Sequence, residues 1–123
     1  MKKIRFIKSH INFSDKRGSI KGIFNNFKVE ESNFIVSMKN SRRGGHYHKK
    51  LTEIIYVIDG IIDFSIKDIK KKNSREVTYR AKSGQAIIIY PYELHSSTCL
   101  KKSRCINYLS KKINFKSIDM YKK

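Results

Sequence analysis

The strongest constraint on this chain is the segment from Glu53 to Asp68, where Ile, Val, Tyr and Phe crowd into two short apolar stretches divided by Asp59-Gly60. β-Branched and aromatic residues at this density favour a pleated strand, and Asp-Gly is a strong hairpin signal. The pattern predicts extended segments over Glu53 to Ile58 and Ile61 to Asp68, joined by a tight turn. The same texture recurs along the chain, with extended segments expected at Ile4 to Ile7, Ile11 to Phe13, Ser19 to Phe24, Asn33 to Met38, Gly45 to Lys49, Glu76 to Ala81, Gln85 to Tyr90, Ser96 to Cys99 and Arg104 to Leu109. Turns are expected at Ser14 to Gly18, Asn40 to Gly45, Lys70 to Ser74 and Ser83-Gly84, with a corner at Pro91. Helical periodicity is almost absent, and 123 residues suit one domain. Many short strands with closely spaced turns point to an all-β sandwich or closed barrel.

Composition narrows the function classes. Lys and Arg number 28 against 10 Asp and Glu, a formal charge of +18. Such an excess invites phosphate-bearing partners. It is mostly Lys, however, and scattered from Lys2 to Lys123 among many Ile and Asn, as A/T-rich coding would produce. No aromatic RNA-binding signature and no basic helix accompany it, so nucleic acid is not the expected partner and a small anionic substrate is. Nothing approaches a membrane span, and Met1 leads into Lys2, Lys3 and Arg5 without an apolar signal core, so the expected location is the cytoplasm. Cys99 and Cys105, the sole cysteines, read as reduced structural thiols.

The chemistry is concentrated at Gly45-His46-Tyr47-His48. Histidines two apart on a strand project to one face, whereas Tyr47 points to the other. Glu53 follows after a short turn and His95 follows the Pro91 corner, so an adjacent strand brings a third imidazole to the same place. Imidazoles with one carboxylate suit zinc, iron, manganese, nickel or copper. They equally suit acid–base work, because histidine titrates near neutrality. The expected site is therefore His46, His48, Glu53 and His95, with one divalent metal ion as its candidate cofactor and no organic cofactor.

His46-x-His48, four residues, Glu53, six residues and Gly60 resemble the first motif of the cupin superfamily. Gly84 and His95 keep the separation of the second. The family's leading glycine falls at Asn40, while Tyr90, Tyr92 and Cys99 stand where proline, glycine and asparagine are usual. The resemblance covers roughly Asn33 to Leu109 and implies an all-β double-stranded β-helix barrel, a jelly roll with the site inside.

Two further segments, Phe13-Ser14-Asp15-Lys16-Arg17-Gly18-Ser19 and Arg43-Gly44-Gly45-His46-Tyr47-His48-Lys49, are similar to cupins that process nucleotide-sugars. These are the dTDP-4-keto-6-deoxyhexose 3,4-ketoisomerases and epimerases, and the cupin domain of capsular polysaccharide epimerases. The resemblance implies a nucleotide-diphosphate sugar substrate, a homodimer, and isomerisation or epimerisation in surface polysaccharide synthesis. On this reading His46 or His48 is the base. Arg17 and Arg43 face phosphate or substrate, because a planar guanidinium suits a diphosphate. Tyr56 and Tyr92 are acid or substrate-binding candidates, with aromatic packing as their ordinary alternative. The ketoisomerases typically work without metal and lack the complete ligand set, so Glu53 leaves the metal question open. A metal-dependent oxygenase or isomerase of another small molecule, or a ligand-binding cupin without turnover, are the alternatives.

Overall fold

The computed structural model describes residues 3–122. Eight strands follow one another: β1 (Asn12–Asp15), β2 (Gly18–Lys21), β3 (Glu31–Ser37), β4 (Arg42–His46), β5 (Glu53–Asp68), β6 (Val77–Lys82), β7 (Ala86–Ile89) and β8 (Glu93–Leu109). No helix occurs among the described residues.

The architecture rests on the two long strands. Residues 53–57 of β5 lie between β7 and residues 105–109 of β8, and β3 joins the far edge of β8. Residues 61–68 of β5 lie between β6 and residues 93–101 of β8, whose other edge carries β4. All pairings are antiparallel. β5 and β8 thus pass through two four-stranded layers that close around one core, the expected cupin double-stranded β-helix. The β1–β2 hairpin stands as a separate two-stranded sheet.

Asp59-Gly60 does not make the expected hairpin. β5 continues through it, and its register against β8 shifts between Val57 and Ile62. Before the bulge the core takes Ile55 and Val57; after it the core takes Ile62, Phe64 and Ile66. The inward face therefore changes from odd to even residues, as extra residues in one strand require. Gly60 makes this possible with φ of 109°, and a Cβ there would lie 2.6 Å from Ser103 Cα. The turn signal was a bulge signal.

Other boundaries differ from the sequence pattern as well: β2 stops at Lys21 rather than Phe24, and β4 stops at His46 rather than Lys49. Arg42 to Gly45, expected within a turn, belongs to β4. Residues 96–99 and 104–109 are parts of the single strand β8. In the segment Ile4 to Ile7, Phe6 makes only an isolated bridge to Ile87.

The core combines β5 residues with Ala81, Ile87, Ile89, Cys99 and Cys105. Each large apolar side chain buried this way contributes about 1.5–3 kcal/mol. Both cysteines are free and buried, as their small apolar character favours. A second cluster forms on the opposite face, where Ile7, Ile23, Phe24 and Phe27 pack on Ile54, Ala86 and Ile88. The N-terminal segment is pinned there by Arg5, which donates to both carboxylate oxygens of buried Glu93 at 2.7 and 2.6 Å and to the Ile88 carbonyl at 2.7 Å.

Candidate functional site

His46 ends β4 opposite His95 of β8, and His48 follows two residues later, so period-two projection brings three imidazoles together. Ring centroids are 5.1 Å apart for His46 and His48, 4.6 Å for His46 and His95, and 5.3 Å for His48 and His95. Glu53, first residue of β5, places Oε1 3.6 Å from His48 Nε2 and 3.8 Å from His95 Nε2. His48, Glu53 and His95 are buried, at 4%, 8% and 7% exposure, while His46 is half-buried.

Close backbone approach makes the cluster possible. Gly44 has φ of 96°, and a Cβ there would sit 2.7 Å from the His95 carbonyl oxygen. Only glycine lets β4 run so near β8 at the point where both deliver a histidine. Two departures from the cupin pattern have conformational explanations. Asn40, in place of a glycine, adopts φ of 71°, which asparagine tolerates well. Tyr92, also in a glycine's place, adopts φ of 64°, a strain of about 1–3 kcal/mol. Its ring is held between Tyr47, stacked at 6.1 Å, and the Lys70 ammonium at 4.0 Å.

Hydrogen bonds assign the imidazole protons. His48 Nδ1 lies 2.7 Å from the Asp119 carbonyl and His95 Nδ1 lies 2.9 Å from the Glu93 carbonyl. A carbonyl only accepts, so both Nδ1 atoms carry hydrogen, and Nε2 is the atom each ring turns toward Glu53. Glu53 Oε2 accepts from Asn107 at 3.1 Å, leaving Oε1 to the imidazoles.

The charges follow. Burial opposes ionisation of Glu53, but His48, His95 and Asn107 together hold its carboxyl below the ordinary range. Burial likewise opposes a charged His48, yet Glu53 and the Asp119 carbonyl outweigh it and raise its pKa. His46 is pushed down to about 4 by burial and by the neighbouring His95 and His48. His95 is lowered, mainly by burial. The surroundings thus favour the carboxylate form of Glu53 and the imidazolium form of His48, while His46 is neutral at physiological pH.

The donor set fits a divalent metal. One nitrogen each from His46, His48 and His95 lies within 4.8 Å of the others, and His48 Nε2 is buried without a hydrogen-bond partner. Nδ1–H bonds to carbonyls are the arrangement that orients ligating imidazoles. His46, His48 and His95, with Glu53 beside them, are the residues that would hold such an ion.

The cluster opens onto a cavity of about 150 Å³ lined by His46, Glu53, His95 and Arg43 over an apolar floor that includes Ile55 and Phe64. Arg43 donates to Ser37 Oγ at 3.1 Å and to the Val36 carbonyl at 3.0 Å. Of the other residues singled out in the sequence, Arg17 lies in the exposed β1–β2 turn, paired with Asp15 at 2.6 Å. Tyr56 packs with the second apolar cluster, on the face of β5 opposite Glu53. Tyr92 joins the surface stack with Tyr47, which points away from the imidazoles as expected. The structure therefore gathers His46, His48, Glu53, His95 and Arg43, and leaves Arg17, Tyr56 and Tyr92 outside the cavity lining. Sequence reasoning missed Asn107, Asp119 and Glu93, whose contacts to the site span 54 and 71 residues for the first two, and two residues for the third.

Solved structures share this architecture. The sugar 3,4-ketoisomerase QdtA from Thermoanaerobacterium thermosaccharolyticum, in complex with TDP, superposes with a TM-score of 0.75 at 18% identity, over 98% of this chain and 85% of its own. The dTDP-4-dehydrorhamnose 3,5-epimerase from Sulfolobus tokodaii gives 0.68 at 24% identity, over 84% of this chain and 68% of its own. The capsular polysaccharide assembling protein CapF from Staphylococcus aureus gives 0.70 at 16% identity over 91% of this chain, which spans only 33% of CapF. No curated protein sequence is a significant match. At these identities the likeness establishes the cupin fold, and sequence membership comes from residues 13–120, which match the family described as the polysaccharide biosynthesis C-terminal domain. With that match running from the β1–β2 hairpin through the whole imidazole cluster to Met120, the chain belongs to the polysaccharide biosynthesis C-terminal domain family.

Proposed function

We propose that this chain acts on a nucleotide-diphosphate sugar carrying a 4-keto-6-deoxyhexose, moving a proton beside the ketone as an isomerase or epimerase in surface polysaccharide synthesis. The observation that carries the reading is His46, half-buried at a cavity wall and held neutral at physiological pH, with the Glu53 carboxylate lining the same cavity. The family match and the sugar-nucleotide enzymes among the structural neighbours support it.

Loss of a proton next to a ketone yields an enolate, so the reaction needs a base and a group that stabilises the oxyanion. His46 is the base, its lone pair free at neutral pH, and the charge of Glu53 stabilises the imidazolium it becomes. His48 and His95 hold the carboxylate in place and share its charge. Return of the proton to the opposite face inverts the centre; return to the neighbouring carbon through an enediol moves the ketone. The redox state is unchanged, so no organic cofactor is required. Arg43, on the same cavity wall, supplies a guanidinium for the diphosphate or sugar. Arg17 as a second phosphate ligand, and Tyr56 and Tyr92 as substrate residues, rest on the resemblance alone.

The orphaned Nε2 of His48 favours a second form of the reading, in which one divalent ion is held by His46, His48, His95 and Glu53. Such an ion supplies Lewis-acid polarisation of a carbonyl oxygen. His46 is then committed as a ligand, and proton transfer falls to another group. The proposal carries a cytoplasmic location and a homodimer. In support of the latter, Phe34 and Val36 on β3 and Met38 just beyond it are exposed, as are Phe13 and Ile20 on the β1–β2 hairpin. No helix of the structure is long and apolar enough to cross a membrane.

The test is NMR in deuterated water with a dTDP-4-keto-6-deoxyhexose, following deuterium entry beside the ketone. Chelator-treated protein should catalyse exchange, and His46→Gln should abolish it. Exchange only after metal addition supports the metal-held form. No exchange above a protein-free control in either state rejects this substrate class and favours an unrelated metal-dependent or ligand-binding cupin.

A further inference from the structure

We infer that the C-terminal segment around Asp119 is a clamp that sets the tautomer and orientation of His48, making Asp119 a positioning residue of the site. This rests on the reading that the imidazole cluster is the functional centre.

Four hydrogen bonds converge on Asp119. Its carboxylate accepts the backbone N–H groups of Lys49 at 2.8 Å, Lys50 at 2.9 Å and Leu51 at 3.0 Å, the three consecutive donors of the turn leaving His48. Its carbonyl accepts the His48 Nδ1–H at 2.7 Å. On the other side of His48, Tyr47 and Tyr121 exchange two backbone hydrogen bonds, at 2.8 and 2.9 Å. Their rings lie 5.6 Å apart, and the Lys49 ammonium sits 4.1 Å from the centre of the Tyr121 ring. Both chain neighbours of His48, and its own imidazole, are thus tied to residues 119–121.

The consequence is directional. Turning the imidazole over exchanges Nδ1 with a carbon and forfeits the bond to the Asp119 carbonyl, leaving a buried N–H unpaired. The clamp therefore makes Nε2 the one atom of His48 available to the cluster, whether it holds a proton for Glu53 or a lone pair for an ion. The signal is invisible in local sequence, because 71 residues separate the partners.

The experiment uses the whole 123-residue chain, metal-free, and long-range ¹H–¹⁵N spectra of the imidazoles at alkaline pH, where neutral tautomers have distinct patterns. Wild type should show His48 as Nδ1–H alone. Asp119→Ala combined with Tyr121→Pro removes the carboxylate and one Tyr121–Tyr47 bond, and should give a mixture of tautomers. Asp119→Asn keeps an acceptor oxygen and should restore the wild-type pattern. His95 is the internal control, because its Nδ1–H goes to Glu93. If the double variant disturbs His95, Asp119→Ala alone is read in the same way. Cobalt(II) titration should show affinity falling by about 10–100-fold in the double variant, as loss of an orienting partner does. A His48 that keeps the pure Nδ1–H pattern beside an unchanged His95 overturns the clamp. Because the tautomer is read without substrate or metal, a shift in a protein that neither binds cobalt nor exchanges substrate protons sustains the clamp and rejects the functional reading instead.

Discussion

Replacing Arg5 with Met tests how a terminal segment supports the site. Arg5 makes a two-pronged bond to Glu93, whose side chain is 3% exposed, while that of Arg5 is 15% exposed. Glu93 Oε1 also accepts the Tyr90 N–H at 2.8 Å, and the Arg5 guanidinium lies 5.1 Å from the Tyr79 ring centre. Arg5→Met keeps most of the apolar stem but strands a buried carboxylate, for which a loss of about 3–5 kcal/mol is expected. Against a total of roughly 5–15 kcal/mol this is a large fraction. At about 4 °C per kcal/mol the melting temperature should fall by roughly 12–20 °C. The assay is urea unfolding followed by circular dichroism, carried through the cycle of Arg5→Met, Glu93→Gln and the double variant. Glu93→Gln in the Arg5→Met background removes the stranded charge, so the double variant should be more stable than the sum of single losses, by about 1–3 kcal/mol. An Arg5→Met loss under about 1 kcal/mol, or a cycle without coupling, would refute the claim that this pair holds the N-terminal segment against the barrel.

Gly60→Ala should destabilise by about 2–4 kcal/mol, combining strain at φ of 109° with a collision at Ser103, whereas Gly18→Ala, with φ of 132° but open space, should cost less; urea midpoints decide the order. His46, lowered to about 4 by burial and its neighbours, resists protonation that the unfolded chain accepts near 6.5. Its contribution to stability is therefore present above about 6.5 and lost as pH falls toward about 4; His46→Gln in chelator should flatten that slope, and an unchanged slope would reject the assignment. Phe34→Asp, at an exposed position of β3, should shift a homodimer to monomer in light-scattering chromatography, and a wild type that is already monomeric removes β3 as an interface.

The site's inner ring was legible because its signal is local. His46 and His48 share a face by strand period, and Glu53 and His95 stand at cupin spacings. The same period places Tyr56 opposite Glu53, and its place with Phe24 and Tyr108 around Ile54 agrees with the aromatic packing that the sequence offers for it. Asp59-Gly60 was ambiguous: positive φ serves a hairpin or a bulge, and only the pairing of Asp59 with Arg104 and of Ile61 with Lys101 on β8 decides between them. Arg42 to Gly45 looked like a turn because two glycines and two arginines carry no strand propensity; β8 supplies the partner that makes it a strand. Asp119 and Arg5 act across 71 and 88 residues, where no period or spacing rule reaches.

β5 and β8 each belong to both layers of the barrel, exchanging partners at the bulge around Gly60. Neither layer has an independent boundary along which it can separate, since peeling one away pulls on the strands that build the other. Amide hydrogens on the two sides of the bulge should therefore exchange with solvent together, in one opening event set by global stability. The imidazole cluster takes residues from β4, β5 and β8, so its intactness reports the closure of the whole barrel.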